Sequence, residues 1–309
     1  MKIDLHMHTT NSDGSDTVQQ LVDKALKLGI DIISITDHDN VNAYCDLKKT
    51  DAKGNLMVIK GVELSFEYNN GLRHMLGYGI DESKIKKFLD VQYLTEKRKK
   101  EEEEILRRLT NAFMKNGFSV ERDIKVEGKF QSEAYTYVCR SVNQHKDNIG
   151  KIPSDIVFGS PKFYWDYCRN PKSDYYIGGI EDFPDIKQVV QVIHNAGGLA
   201  FLAHPFMYGR DLDNVDKFIQ DAVASGIDGI EIKHSENRVG DDKYLLNIAE
   251  KNNLFTSGGT DYHGKPKPNI NLLTGIENNV KINFKDIEDW YGRVSKVELG
   301  NINSNPSQR

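Results

Sequence analysis

The sequence predicts an α/β protein in which a sheet-bearing core is interrupted by a mostly helical insertion. Short β-branched runs alternate with amphipathic helical stretches over residues 1–81 and again over 183–300. That is the rhythm of a parallel sheet or an α/β barrel. Between them, 82–182 loses the alternation and becomes charged and helical. The chain has 309 residues, 38% hydrophobic and 28% charged, enough for one large α/β domain or a domain carrying an insertion.

The elements follow in order. Residues 2–5 read as a strand. Residues 17–28 read as an amphipathic helix with Asp16 as its N-cap and Gly29 as its stop. The run Ile32-Ile33-Ser34-Ile35-Thr36 is a short buried-type strand, and further strands are expected over 57–62 and 72–79. Residues 82–116 form a long charged helical stretch, broken at most once. Its run from Arg98 to Glu104 reads as a solvated face with i,i+4 pairs. Helices at 131–145 and 160–169 and a loop through 175–179 complete the insertion. The core rhythm returns with helices at 183–196, 215–225 and 241–252, and strands at 199–203, 229–232 and 255–258. A last helix is expected over 284–294, and the polar tail 301–309 reads as disordered.

The net charge of -5 excludes a general nucleic-acid coat protein and confines phosphate recognition to a few local groups or to metal ions. Cys45, Cys139 and Cys168 are odd in number and widely spaced, which argues for structural thiols in a reducing cytoplasm. No apolar stretch approaches a bilayer span and no signal peptide is read, so a cytoplasmic location and no membrane partner are expected.

The chemistry lies at the strand ends. His6 and His8 share one face of the first strand, because residues i and i+2 point the same way. Later runs end in Thr36-Asp37-His38-Asp39, in Gly61-Val62-Glu63-Leu64-Ser65, at His74, in Ala203-His204-Pro205 and in Gly258-Gly259-Thr260-Asp261-Tyr262-His263-Gly264. Functional groups of α/β barrels sit at the carboxyl ends of strands. Of the nine histidines, six occupy such positions. His145 and His194 fall in predicted helices and read as surface or packing residues, and His234 follows a core strand. With Asp13, Glu63 and Asp261, the six imidazoles exceed what one four- to six-coordinate ion needs. The set implies two or three divalent ions, spaced on the order of 3.5–4 Å where a pair acts on one displacement. A carboxylate such as Glu63 can bridge two of them. Imidazole with carboxylate suits Mn, Fe or Zn better than Ca.

These motifs, in this order, resemble the PHP (polymerase and histidinol phosphatase) family of metal-dependent phosphoesterases, over about 1–80 and 183–275. The resemblance implies a distorted (β/α)7 barrel with a trinuclear centre. It implies one ion held by His6, His8, Glu63 and Asp261, a second by Glu63, His74 and His204, and a third by Asp13, His38 and His263. Asp37 and Asp39 flank a ligand and are candidate hydrogen-bond partners for imidazole N–H groups.

No motif for a covalent phosphoryl intermediate is present, so hydroxide activated by the ions is the expected nucleophile. His234 is the candidate acid for the leaving group, with Lys233 beside it. Arg210, Arg140, Lys265 and Lys267 are candidates for holding a second phosphate. The chain resembles the stand-alone nucleoside 3′,5′-bisphosphate phosphatase and exoribonuclease group, in which the insertion caps the active site. The expected substrate is a small nucleotide-like phosphate ester or a short single-stranded oligonucleotide. Histidinol phosphate is the alternative within the family. An amidohydrolase-type hydrolase and a catalytically silent nucleotide-binding module are the alternatives outside it. Against the last two stand Glu63 in the bridging place and the complete ligand set.

Overall fold

A computed structural model describes residues 1–52, 54–69, 71–92, 95–128, 132–177 and 183–300. The expected tail at 301–309 and part of the loop at 175–179 lie outside them. The chain divides into two compact units, Met1–Phe88 with Asp182–Arg309, and Leu89–Glu181.

In the first unit β1 (Ile3–Asp4) leads to α1 (Val18–Leu28), which buries Val18, Leu21, Val22 and Ala25, an i, i+3, i+4, i+7 stripe. Its N-cap is Thr17, not Asp16. Thr17 and Gln20 form a reciprocal capping box, while the Asp16 carboxylate takes bonds from Lys24 Nζ (2.6 Å) and the Tyr262 hydroxyl (2.9 Å). Gly29 ends the helix at φ 66°, a left-handed conformation that suits glycine. Then come β2 (Ile32–Ile33), α2 (Ala43–Leu47), β3 (Leu56–Ile59), β4 (Gly61–Tyr68), β5 (Gly71–Tyr78) and α3 (Glu82–Gln92).

The second unit holds α4 (Thr95–Lys115), α5 (Glu133–Gln144) and α6 (Pro161–Phe163), which continues as a π-helical turn over Tyr164–Cys168. Its core is aromatic, with Phe113 edge-on to Phe158 at 4.8 Å and Phe158 edge-on to Phe163 at 4.8 Å. The charged run behaves as a solvated face at Lys99–Glu103 and at Glu104 with Arg107 and Arg108. Glu102 departs from it. It is buried, and it accepts from the Ala134 N–H at 2.7 Å, serving the otherwise unpaired N-terminus of α5.

The first unit resumes with α7 (Ile186–Asn195), β6 (Leu199–Leu202), α8 (Leu212–Ala224), β7 (Gly229–Lys233), α9 (Asp241–Asn252), β8 (Phe255–Gly258), α10 (Glu288–Tyr291) and β9 (Lys296–Leu299). Two sheets result, in the orders β1-β2-β3-β9 and β4-β5-β6-β7-β8. Pairing is parallel along β1-β2-β3 and β6-β7-β8, and antiparallel at β3-β9, β4-β5 and β5-β6. The fold is therefore mixed rather than wholly parallel. Only two residues separate β4 from β5, and so short a connection can only return the chain antiparallel. Isolated bridges join the sheets: Met7 pairs Tyr262 and His38 pairs Glu63. Around Tyr78 the core is closed by Trp290, stacked at 5.3 Å, and Phe201 at 5.1 Å.

Candidate metal centre

The two bridges that join the sheets also assemble the site. They carry His6 and His8 beside Asp261 and His263, and His38 beside Glu63. The backbone turns sharply where these strands end: Asp39, His204 and Asp261 adopt φ of 42°, 25° and 56°, a region that L-residues visit at a cost.

Glu63 is the hub. Its Oε2 lies 3.1 Å from His6 Nε2, 3.2 Å from His8 Nε2 and 3.3 Å from His38 Nδ1. Its Oε1 lies 2.8 Å from His204 Nε2 and 3.3 Å from His74 Nδ1. Asp261 Oδ1 stands 3.1 Å from His8 Nε2 and 3.4 Å from His6 Nε2. Asp13 Oδ2 stands 3.2 Å from His263 Nε2 and 4.0 Å from His38 Nε2. All nine residues expected from the sequence as ligands meet here. Potential ligand atoms lie within 4.8 Å of one another in four overlapping groups: His6-His8-Glu63-Asp261, His8-Asp13-His38-His263, His38-Glu63-His74 and His6-His204-Glu231.

The donor set fits metal ions. His8 Nε2, His38 Nδ1 and His74 Nδ1 are buried without a hydrogen-bond partner, although each faces a carboxylate oxygen at 3.1–3.3 Å. Leaving such atoms unpaired is costly, and cations bound among these groups would give them partners. Burial opposes charge on His6 and His8. The carboxylates Glu231, Glu63 and Asp261 nevertheless hold the His6 imidazole well above its ordinary value. The nearby carboxylates of Asp261 and Glu63 raise His8 to about 9. Burial would lift Glu63, but the imidazoles of His38, His6 and His74 pull it well below the usual carboxylate range.

Two acids sit around the cluster in roles the sequence did not reveal. Glu231, buried on β7, meets His6 Nδ1 at 2.9 Å through Oε1 and accepts the His204 N–H at 2.9 Å through Oε2. Asp4 accepts from Thr260 N (2.9 Å), Thr260 Oγ1 (2.6 Å) and Leu273 N (2.8 Å). The one available signal was a lone acid inside an apolar strand, as in Gly229-Ile230-Glu231-Ile232.

The flanking candidates are distributed differently. Asp37 accepts from Thr9 N, Thr9 Oγ1 and Ser12 Oγ, each at 2.7 Å, and Ser12 Oγ is 3.4 Å from His8 Nδ1. It reaches an imidazole only through that hydroxyl. Asp39 accepts the Ser65 N–H at 2.9 Å. His234 does lie in the cluster, with Nε2 3.4 Å from Asp261 Oδ2.

Three basic candidates are already paired. Arg210 binds Asp241 (2.6 Å) and the Glu236 carbonyl (2.9 Å), Lys233 binds Asp286 (2.5 Å), and Lys267 binds Asp261 Oδ2 (2.5 Å). Lys265 is exposed, and Arg140 lies in the second unit on α5, 5.8 Å from the Tyr137 ring centroid.

The sequence profile of the PHP domain matches residues 4–168. It ends inside the insertion, before His204. A phosphoribosyl 1,2-cyclic phosphate 1,2-diphosphodiesterase of Eggerthella lenta is 29% identical over 85% of this chain and 94% of its own length. The 5′-3′ exoribonuclease Rnm of Escherichia coli is 26% identical over 87% of each chain. A 3′,5′-nucleoside bisphosphate phosphatase of Chromobacterium violaceum is 24% identical over 84% of this chain and 87% of its own. A solved structure from Bifidobacterium adolescentis, provisionally described as a metal-dependent phosphoesterase, superposes with a TM-score of 0.68. It is 22% identical and covers 95% of this chain and 96% of that one.

Proposed function

The chain belongs to the PHP domain family, and on that premise we propose that it hydrolyses a phosphate ester carried on a ribose, using two or three divalent ions held by the cluster. It is a phosphoesterase of the metal-dependent kind. The observation that carries the reading of the centre is the partition of Glu63. One oxygen faces His6, His8 and His38, the other faces His74 and His204, as a carboxylate bridging two ions requires. Asp13, His38 and His263 make a third set on the far side of His8. Mn, Fe and Zn suit this donor set. The bridges Met7–Tyr262 and His38–Glu63 link the two sheets, which supports a distorted (β/α)7 barrel with the site at one mouth.

Bound divalent ions would supply an acidified water and positive charge against the phosphoryl oxygens. The residues of the chain do the rest. Glu231 fixes His6 so that Nε2 faces inward, and its contact with the His204 backbone sets the second imidazole. His234 Nδ1 accepts the Glu236 N–H at 3.2 Å, so a neutral ring carries its proton on Nε2, at the edge of the cluster. From there the N–H would be a hydrogen-bond donor for a leaving oxygen.

The named activities of the relatives share a phosphate on ribose, whether cyclic, bisphosphorylated or in RNA. Ribonucleotide esters are therefore the proposed substrate class, with a nucleoside 3′,5′-bisphosphate or a short 5′-phosphorylated strand as its leading members.

The test is phosphate release with Mn²⁺ from adenosine 3′,5′-bisphosphate, a 5′-phosphorylated dinucleotide, AMP and histidinol phosphate, with and without chelator. Chelator-sensitive release from the ribose esters supports the proposal. Turnover of histidinol phosphate alone would move it to that alternative, and a His8→Ala variant at wild-type rate would remove the ligand assignment.

A further inference from the structure

We propose that Arg73, stacked on Tyr208 beside the cluster, receives a second phosphate of the substrate, adjacent to the one that is hydrolysed. The inference rests on the phosphoesterase reading and specifies which esters the site prefers.

Position comes first. Arg73 immediately precedes His74 on β5. In the β4–β5 register Arg73 lies opposite Phe66 and His74 opposite Ser65, so their side chains leave the sheet on opposite faces. The guanidinium nevertheless stays near the site, because its carbon lies 4.5 Å from the centroid of the Tyr208 ring. Tyr208 follows the His204 turn. Its ring centroid is 5.4 Å from that of His204 and 6.2 Å from that of His74, and its hydroxyl accepts the His74 backbone N–H at 2.8 Å. One aromatic ring therefore separates the guanidinium from two imidazoles of the cluster.

Availability comes second. Among the described residues no carboxylate pairs with Arg73. Its one hydrogen bond runs from Nη1 to the Leu72 carbonyl at 2.7 Å. Arg210 has Asp241, and Arg107 and Arg108 share Glu104. A half-buried guanidinium without an acid has lost water and gained no counter-charge. Stacking on Tyr208 orients its plane, and the remaining donors form the fork that matches phosphate oxygens.

Room is the third point. A Cβ on Gly71 would meet Arg73 Nη1 at 2.5 Å and Cζ at 3.0 Å. The bare backbone at Gly71 is what lets the guanidinium lie where it does.

The ligand chemistry is a phosphate next to the scissile one, either on the same nucleoside or on the next residue of a short strand. Steady-state rates with Mn²⁺ on adenosine 3′,5′-bisphosphate, a 5′-phosphorylated dinucleotide and AMP separate these cases, using wild type, Arg73→Gln, Arg73→Lys and Gly71→Ala. Losing a charge-assisted contact should raise KM at least about tenfold for a two-phosphate substrate, with kcat and the AMP parameters within about twofold. Arg73→Lys should recover part of the loss, and Gly71→Ala should reproduce part of it by displacing the guanidinium. A response on the bisphosphate alone puts the second phosphate on the same nucleoside, and one on the dinucleotide alone puts it along the strand. Equal losses on one- and two-phosphate substrates would mean that Arg73 merely braces Tyr208, and would overturn the proposal, as would unchanged KM throughout. Absence of turnover of every phosphate ester by the wild type would overturn the phosphoesterase reading and this proposal with it.

Discussion

Glu231 offers the sharpest test of how the centre is held. Both its oxygens are used: Oε1 meets His6 Nδ1 and Oε2 takes the His204 N–H, each at 2.9 Å, and the side chain is fully buried. A carboxylate saturated in this way is expected to orient the imidazoles around it rather than bind an ion itself. Two variants separate its contributions. Glu231→Ala strands a buried ring N–H and a buried backbone N–H, each worth roughly 1–3 kcal/mol, so unfolding free energy should fall by about 2–6 kcal/mol. Glu231→Gln keeps the shape and one acceptor but removes the charge that supports His6. It should fold close to normally and lose metal affinity by about 10- to 100-fold, the usual effect of removing such a support. Urea denaturation measures the first effect, and metal content with a competing chelator measures the second. If Glu231→Gln binds metal as tightly as wild type, the support argument is wrong. If it loses one ion completely while keeping the others at full affinity, Glu231 is a ligand and the saturation argument is wrong.

Gly259→Ala should lower both stability and metal content, because the new Cβ would lie 2.2 Å from His6 Cβ and 2.3 Å from His6 N. Overpacking of this kind costs about 1–3 kcal/mol or more, readable in urea, and a wild-type midpoint would refute it. Asp4→Ala removes the acceptor for Thr260 N, Thr260 Oγ1 and Leu273 N and should cost roughly 2–5 kcal/mol. A loss below half a kilocalorie would show that solvent takes over those donors. Metal uptake should release protons. In the metal-free protein His8 is held at about 9, so it carries a proton at pH 7 that an ion must displace. Apparent affinity should therefore rise with pH up to about 9. Calorimetry in two buffers of different ionisation enthalpy checks this, and a buffer-independent heat at pH 7 would refute it.

Most of the core was legible because its periodicities are local. Helix α9 and strand β8 run as the pattern indicates, and α1 announces itself through its apolar stripe and Gly29. The misreadings share a cause: the deciding partner is distant in sequence. Asp16 looked like a cap, but Lys24 and Tyr262 claim it. The strand expected over 57–62 splits at Lys60, because β3 joins the first sheet and β4 the second. Strand β9 was not foreseen at all. Its polar residues Lys296 and Glu298 become strand only by pairing with β3 at Ile59 and Met57.

The centre divides along the same line. The nine clustered positions were readable because an imidazole or carboxylate at a strand end is chemically out of place. Glu231 and Arg73 were not, because each sits inside or beside an apolar strand and acquires meaning only from a neighbour contributed by another element. The cluster also shows why its parts belong together. One Glu63 carboxylate faces five imidazoles at 2.8–3.3 Å. A single negative charge cannot hold five imidazolium ions in a buried space, since like charges there repel strongly. Five neutral rings cannot all donate to two oxygens, and three of their inward nitrogens have no bond. Even with His8 protonated, two carboxylate oxygens do not serve all five rings, and inward nitrogens stay unpaired. Divalent cations held by these residues would give the unpaired inward nitrogens a partner, so the side-chain positions themselves argue for metal binding.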